Sequence, residues 1–146
     1  MHDTQVKLVC VRVKVDVHHE KPAVSRSRRH RCNAHGGPCA VSEVDLKPHH
    51  LNRIESAHGG LIATLLDNAM VNAGRAVSGP DARLATIEMK ISNMRTGKGS
   101  LRCTARCLHT TAKLAFCDAE VRDLSGKLVA TASITLQYII GSRRQA

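Results

Sequence analysis

A chain of 146 residues is the length of one ordinary domain, able to bury about two-thirds of the surface that its unfolded form exposes. With one Phe, one Tyr and no Trp, its core must be built from Leu, Ile, Val, Ala, Met and Cys, and it has no aromatic platform on which bases could stack. The net charge of +10 is divided, with eight Lys/Arg against three Asp/Glu in residues 1–37 and fourteen against nine in residues 38–146, so no single basic face for nucleic acid is expected, and no apolar run approaches the about 18 residues of a membrane span.

Along the chain, Val9, Val11, Val13, Val15 and Val17 alternate with Cys10, Arg12, Lys14 and Asp16, which is the period of a strand. Residues 21–38 are basic, poor in large apolar side chains and broken by Pro and Gly, the composition of a linker or disordered segment. A boundary near Pro38 therefore separates an atypical basic segment, 1–37, from a domain over 38–146. Asp3, Asp16 and Glu20 precede the Arg-rich tract and no amphipathic helix accompanies it, so a cytoplasmic location is expected, with the mitochondrion as the alternative. The six cysteines, at 10, 32, 39, 103, 107 and 117, lack the spacing of a secreted disulfide scaffold, and free thiols packed as small core residues are expected. His30, Cys32 and Cys39 fit no zinc spacing, and no metal site is expected. His35-Gly36-Gly37 is followed by Pro38 rather than by an apolar helix, and no site is assigned to it.

From Cys39 onward the pattern becomes regular. A strand is predicted at about 39–47, then a loop holding His49, His50 and Asn52, then a helix at about 59–78 stopped by Gly79-Pro80-Asp81. Strands follow at about 83–95, with Ile87, Met89 and Ile91 on one face, and at about 99–110, 113–123 and 127–140. Thr96-Gly97-Lys98-Gly99 and the segment from Asp123 to Lys127 read as hairpin turns. One long apolar helix followed by an antiparallel meander suggests an α+β domain whose sheet wraps the helix, the hotdog outline.

The most informative stretch runs from Asn52 to Asn68. It sets His58-Gly59-Gly60 at the mouth of the helix, where unpaired N–H groups favour negative charge and can hold an oxyanion. Leu61, Ile62, Leu65, Leu66, Ala69 and Ala73 keep helical spacing, so Asp67 is carried on or beside the core-facing stripe, where carboxylates are rare.

Residues 39–140 resemble a hotdog-fold thioesterase of the phenylacetate-degradation type. The resemblance is carried by Leu51-Asn52-Arg53, His58-Gly59-Gly60-Leu61, Ala63-Thr64-Leu65, Leu66-Asp67-Asn68, Thr86-Ile87-Glu88-Met89, Lys113-Leu114-Ala115-Phe116 and Gly126-Lys127-Leu128-Val129-Ala130. It implies hydrolysis of acyl-coenzyme A in fatty acid metabolism, with coenzyme A as part of the substrate and no separate cofactor. It further implies that the Gly59 amide and the Asn52 side chain polarise the thioester carbonyl, that Asp67 activates water with Thr86 holding it, and that His58 orients the loop. Arg53, Arg95 and Lys98 would meet the coenzyme A phosphates or else remain solvated surface charge. On the structural alternatives Asp67 is a hydrogen-bonded carboxylate at a dimer seam, Asn52 a turn residue, His58 a loop-packing residue and Thr86 a β-former.

Helix geometry adds a condition that does not depend on the family. Asp67 lies nine positions after His58, hence about 13 Å along the axis, too far to share one carbonyl within a protomer. A two-fold pair of antiparallel helices would bring Asp67 of one copy to Gly59 of the other, so a homodimer or homotetramer is expected, in which desolvation would raise the proton affinity of that carboxylate. Glu55 stands where relatives often carry Gly, the turn at Arg95–Lys98 lacks their usual Pro, and residues 1–37 match nothing in the family. These departures sustain the alternative of a non-catalytic acyl-coenzyme A binder. Acyl-chain or aryl preference is not legible.

Overall fold

The computed structural model describes residues 11–14, 24–25, 39–79 and 81–139, the first two stretches as backbone. The rest of segment 1–37, with its Arg-rich tract and His35-Gly36-Gly37, lies outside the described residues. A strand β1 (Val11–Lys14) falls within the alternating valine stretch, and a two-residue β2 (Val24–Ser25) pairs with it.

The domain itself is a helix cradled by five antiparallel strands, the α+β hotdog arrangement that the sequence pattern suggests. The helix, α1 (Gly59–Ser78), buries Ile62, Leu65, Leu66, Ala69, Met70 and Ala73, whereas Leu61 stays half-buried. These side chains recur every three or four residues and so form one stripe against the sheet. At its far end the helix stops at Gly79, whose N–H donates to the Arg75 carbonyl, and Ser78 Oγ is hydrogen-bonded to Tyr138 Oη.

Strands β3 (Cys39–Asp45), β4 (Leu84–Asn93), β5 (Ser100–Thr110), β6 (Leu114–Asp123) and β7 (Leu128–Tyr138) are ordered β3-β5-β6-β7-β4, with β1 added parallel to β3. The core is closed by Leu101, Cys103 and Ala105 from β5, Ala115, Cys117 and Val121 from β6, and Ala130, Ala132, Ile134 and Leu136 from β7. Their period of two matches the expected alternation. No described helix is long and apolar enough to cross a membrane.

Three expectations are corrected. The turn at 96–99 does not close a hairpin, because β4 pairs with β7 while β5 pairs with β3 and β6. The meander is only β5-β6-β7, and the chain between β4 and β5 crosses from one edge of the domain toward the other. Turn residues mark where a strand ends, not which strand it joins. Secondly, Ile87 is not on the core face with Met89 and Ile91. A bulge between Thr86 and Glu88 makes Ile87 the extra residue, 55% exposed, and reverses the parity so that Leu84 and Thr86 share the inner face with Met89 and Ile91. Thirdly, Cys103, Cys107 and Cys117 are free, but Cys39 is disulfide-bonded to a partner outside the described residues.

Leu66 is fully buried beneath α1, so Leu66→Ala leaves a cavity in the core between helix and sheet. A loss of about 2–5 kcal/mol of unfolding free energy is expected in a denaturant titration; a change below about 1 kcal/mol would contradict this packing.

Candidate active site

The loop before α1 folds as a miniature hairpin. Leu51 bridges Ala57, and the Asn52 N–H donates to the Ser56 carbonyl at 2.8 Å. Inside it, Asn52 Oδ1 accepts from the Ile54 N–H at 3.0 Å, the Ser56 N–H at 3.2 Å and Ser56 Oγ at 3.2 Å. Three donors on one oxygen fix the flip of the amide, so that Nδ2, the only donor group of that side chain, is directed away from the loop's own backbone. Ser56 is 2% exposed and acts from beneath as the anchor. Asn52 is thus wired as a turn residue through Oδ1.

Glu55 has φ 56° and is the non-glycine residue with positive φ among those described. An L side chain in the left-handed region is held there at a cost of about 1 kcal/mol. This is the position at which the family resemblance leads one to expect Gly. The turn is closed by the Glu55 N–H donating to the Asn52 carbonyl at 3.0 Å, so the strain is absorbed by the same wiring that fixes Asn52.

The other wall is the β4–β5 connection. The Ala57 N–H donates to the Gly97 carbonyl at 2.8 Å, and a Cβ on Gly97 would lie 3.0 Å from Leu101 Cδ1 and 3.3 Å from Ala57 Cβ. Only a residue without a side chain lets the two loops approach this closely. As a result the loop carrying Arg53 and the loop carrying Arg95 and Lys98 are stitched together. All three cations are exposed, beside the exposed apolar Ile54 and Met94, and none forms an ion pair among the described residues.

His58 occupies the N-cap of α1 with extended backbone (φ −62°, ψ 136°), and its Nδ1 accepts from the Gly60 N–H at 3.0 Å. The proton of this ring is accordingly on Nε2 when the cap is formed. A Cβ on Gly60 would sit 3.2 Å from that nitrogen, so glycine at 60 is what admits the imidazole. The His58 N–H in turn donates to the carbonyl of buried His50, whose Nδ1 accepts from the Lys47 N–H at 3.1 Å. His58 therefore orients the helix mouth. The cap consumes the Gly60 N–H and leaves the Gly59 N–H, at the first helical position, without an acceptor among the described residues. Around Gly59 there is open space, with nothing within 4 Å of where a Cβ would stand.

Asp67 lies two turns further along. Thr86 Oγ1 donates to Asp67 Oδ1 at 2.8 Å, across the gap between α1 and β4. The bulge at Ile87 makes this contact, because it is what turns Thr86 toward the helix. Asp67 is half-buried beside the free edge of β4, a ten-residue strand whose second side has no partner among the described residues. The structure thus brings Thr86 to Asp67 and the loop of Arg53 against the loop of Arg95 and Lys98 through Ala57 and Gly97, but keeps Gly59 about 12 Å from Asp67 along one unbroken helix. Sequence reasoning missed Ser56, Gly97 and the bulge. The serine four residues after Asn52 was a legible sign of a wired turn, whereas nothing in the alternation of β4 marks the bulge.

The geometry is that of a helix mouth with a free amide and a carboxylate held by a strand hydroxyl, and comparison with known proteins places it in a family. Residues 55–130 match the model of the thioesterase superfamily. A conserved protein of Pseudomonas aeruginosa is 33% identical over 69% of this chain and 81% of its own, with a TM-score of 0.67. A phenylacetic acid degradation-related protein of Ralstonia eutropha is 26% identical over 68% of this chain and 75% of its own, with a TM-score of 0.63. A Bacillus halodurans protein solved with CoA shares the fold at 24% identity, over 70% of this chain and 68% of its own, with a TM-score of 0.67. None of the curated proteins matches the chain. The chain belongs to the thioesterase superfamily.

Replacing the cap tests the role of His58 without touching the carboxylate. His58→Ala is expected to cost about 1 kcal/mol of stability, and His58→Asn, a strong N-cap, to retain it. Equal melting temperatures for the Ala and wild-type proteins would contradict the assignment.

Proposed function

We propose that the protein hydrolyses acyl-coenzyme A thioesters and that two copies of the chain form each site. A thioester carbonyl attacked by water becomes a tetrahedral oxyanion, which needs donors aimed at its oxygen and a base for the water. The Gly59 N–H and the directed Asn52 Nδ2 supply the donors. Asp67 is the base, and Thr86 holds one of its oxygens so that the other faces the water. Superfamily membership and a fold shared with a protein solved with CoA support this reading, as does the similarity of the Asn52, His58-Gly59-Gly60 and Asp67 motifs to those of the animal acyl-coenzyme A thioesterase 13.

The observation that carries the proposal is the separation of Gly59 and Asp67 along one unbroken helix, with open space around Gly59 and Asp67 half-buried against Thr86 of β4. An antiparallel copy that brings Asp67 to Gly59 of its mate places the two-fold axis beside residue 63, midway between them. Ala63 stands there, flanked by Ile62 and Thr64, and a small side chain permits close approach of two helices. The edge of β4 that has no partner among the described residues offers a ladder of N–H and C=O groups that a second copy can complete. The stitched loops then form the rim, where Arg53, Arg95 and Lys98 meet phosphate charge and Ile54 and Met94 meet the apolar part of the substrate.

Two substitutions separate the roles. Gly59→Pro removes the amide proton at a position where proline suits a helix and has room, and should lower kcat about 100- to 1,000-fold with folding intact. Asp67→Ala should lower it about 100-fold or more while the oligomer persists. Thiol release from acyl-coenzyme A at wild-type rate by either variant would reject the mechanism, and coenzyme A binding without turnover by the wild-type protein would favour the non-catalytic reading.

A further inference from the structure

We propose that Cys107 and Cys117 form a hydroperoxide-sensitive dithiol that closes into a disulfide between β5 and β6. The two residues are direct partners in the antiparallel ladder. Opposed residues of such a pair have Cα atoms about 4.5–5.5 Å apart, within the about 4.4–6.8 Å that a disulfide spans, and their side chains leave the sheet on the same face. Both thiols are free.

Their surroundings assign them different parts. Cys117 is fully buried beneath α1, its Sγ 3.8 Å from where a Cβ on Gly74 would stand. Cys107 is half-buried, one residue past Arg106, which pairs with Cys39, the first residue of β3. Immediately after it the β5–β6 register breaks at a bulge containing the exposed Leu108. Cys107 Sγ also lies 3.7 Å from the His109 carbonyl oxygen. The neighbouring Cys117 thiol, as a donor, shifts the Cys107 thiol down against the opposing effect of burial. The pairing and burial shift Cys117 up, toward its protonated form. Cys103, two positions after Leu101 in the same strand, is pushed up to about 12 by burial and takes no part.

The chemistry follows from that asymmetry. The Cys107 thiolate attacks one oxygen of hydrogen peroxide or an organic hydroperoxide. The O–O bond breaks, two electrons pass from sulfur to oxygen, and Cys107 becomes a sulfenic acid while the departing hydroxide or alkoxide takes up a proton. The Cys117 sulfur then attacks the Cys107 sulfur, the S–O bond breaks, and the leaving hydroxide departs as water with the Cys117 proton. Two thiols are oxidised and one hydroperoxide is reduced.

The test is peroxide treatment of the full chain, followed by alkylation of the remaining thiols and peptide mapping. The expected result is a crosslink of the Cys107 and Cys117 peptides, reversed by dithiothreitol, with Cys107 consumed at least about tenfold faster than Cys103. In Cys117→Ser the sulfenic acid on Cys107 should persist and be trapped by dimedone, and in Cys107→Ser Cys117 should stay alkylatable after unfolding. Sulfinic acid on wild-type Cys107 with Cys117 left as a thiol, a bridge from Cys107 to any other cysteine, or no consumption of either thiol would overturn the proposal. Because the readout is covalent, it is independent of thioester hydrolysis.

Discussion

One helix fixes the distance between the two groups proposed to act on the substrate, the Gly59 amide and the Asp67 carboxylate. The stripe from Ile62 to Ala73 is buried against the sheet along its length, which holds α1 as one continuous helix and keeps its N-terminal amide about 12 Å from Asp67. Burial of that stripe is the dominant favourable term for such a domain, and the site inherits its geometry from it. Everything else at the site is arranged around this helix: the cap that leaves the Gly59 N–H, the strand hydroxyl that holds Asp67, and the edge of β4 beside Asp67, which has no partner among the described residues.

The polar elements of the proposed site share a construction in which each group is held by a hydrogen-bonding neighbour. Ser56 and the turn backbone hold Asn52 by its oxygen and leave its nitrogen. His58 holds the Gly60 amide and leaves that of Gly59, and Thr86 holds one oxygen of Asp67 and leaves the second. Such pre-set orientation is what allows hydrogen bonds to stabilise developing charge without reorganisation during the reaction. Strain at Glu55 and the bulge at Ile87 are the local departures from ideal backbone that this wiring tolerates, and both lie next to residues of the proposed site.

Much of this was legible in the sequence, and the failures have identifiable causes. The helix and the strand positions from Cys39 onward follow from apolar period and turn chemistry, because both record which face meets the core. Pairing order did not follow: Thr96-Gly97-Lys98-Gly99 has hairpin composition, yet Gly97 is there to let Ala57 and Leu101 approach. The face of Thr86 was hidden by one inserted residue, since a bulge leaves the count of apolar residues unchanged while reversing their parity. The positive φ of Glu55 was foreshadowed only by comparison with relatives, as no single-residue preference would place Glu in that region.

The central claim is that each site takes Asp67 from one copy and the Gly59 amide from another, and co-expression of Asp67→Ala with Gly59→Pro chains tests it most directly. Each variant alone lacks both sites of its homodimer, but a mixed dimer contains one site with neither lesion. Random assortment should therefore restore thioester hydrolysis to about a quarter of the wild-type rate. Activity no greater than that of the separate variants, in a sample shown to contain mixed dimers, would contradict the account.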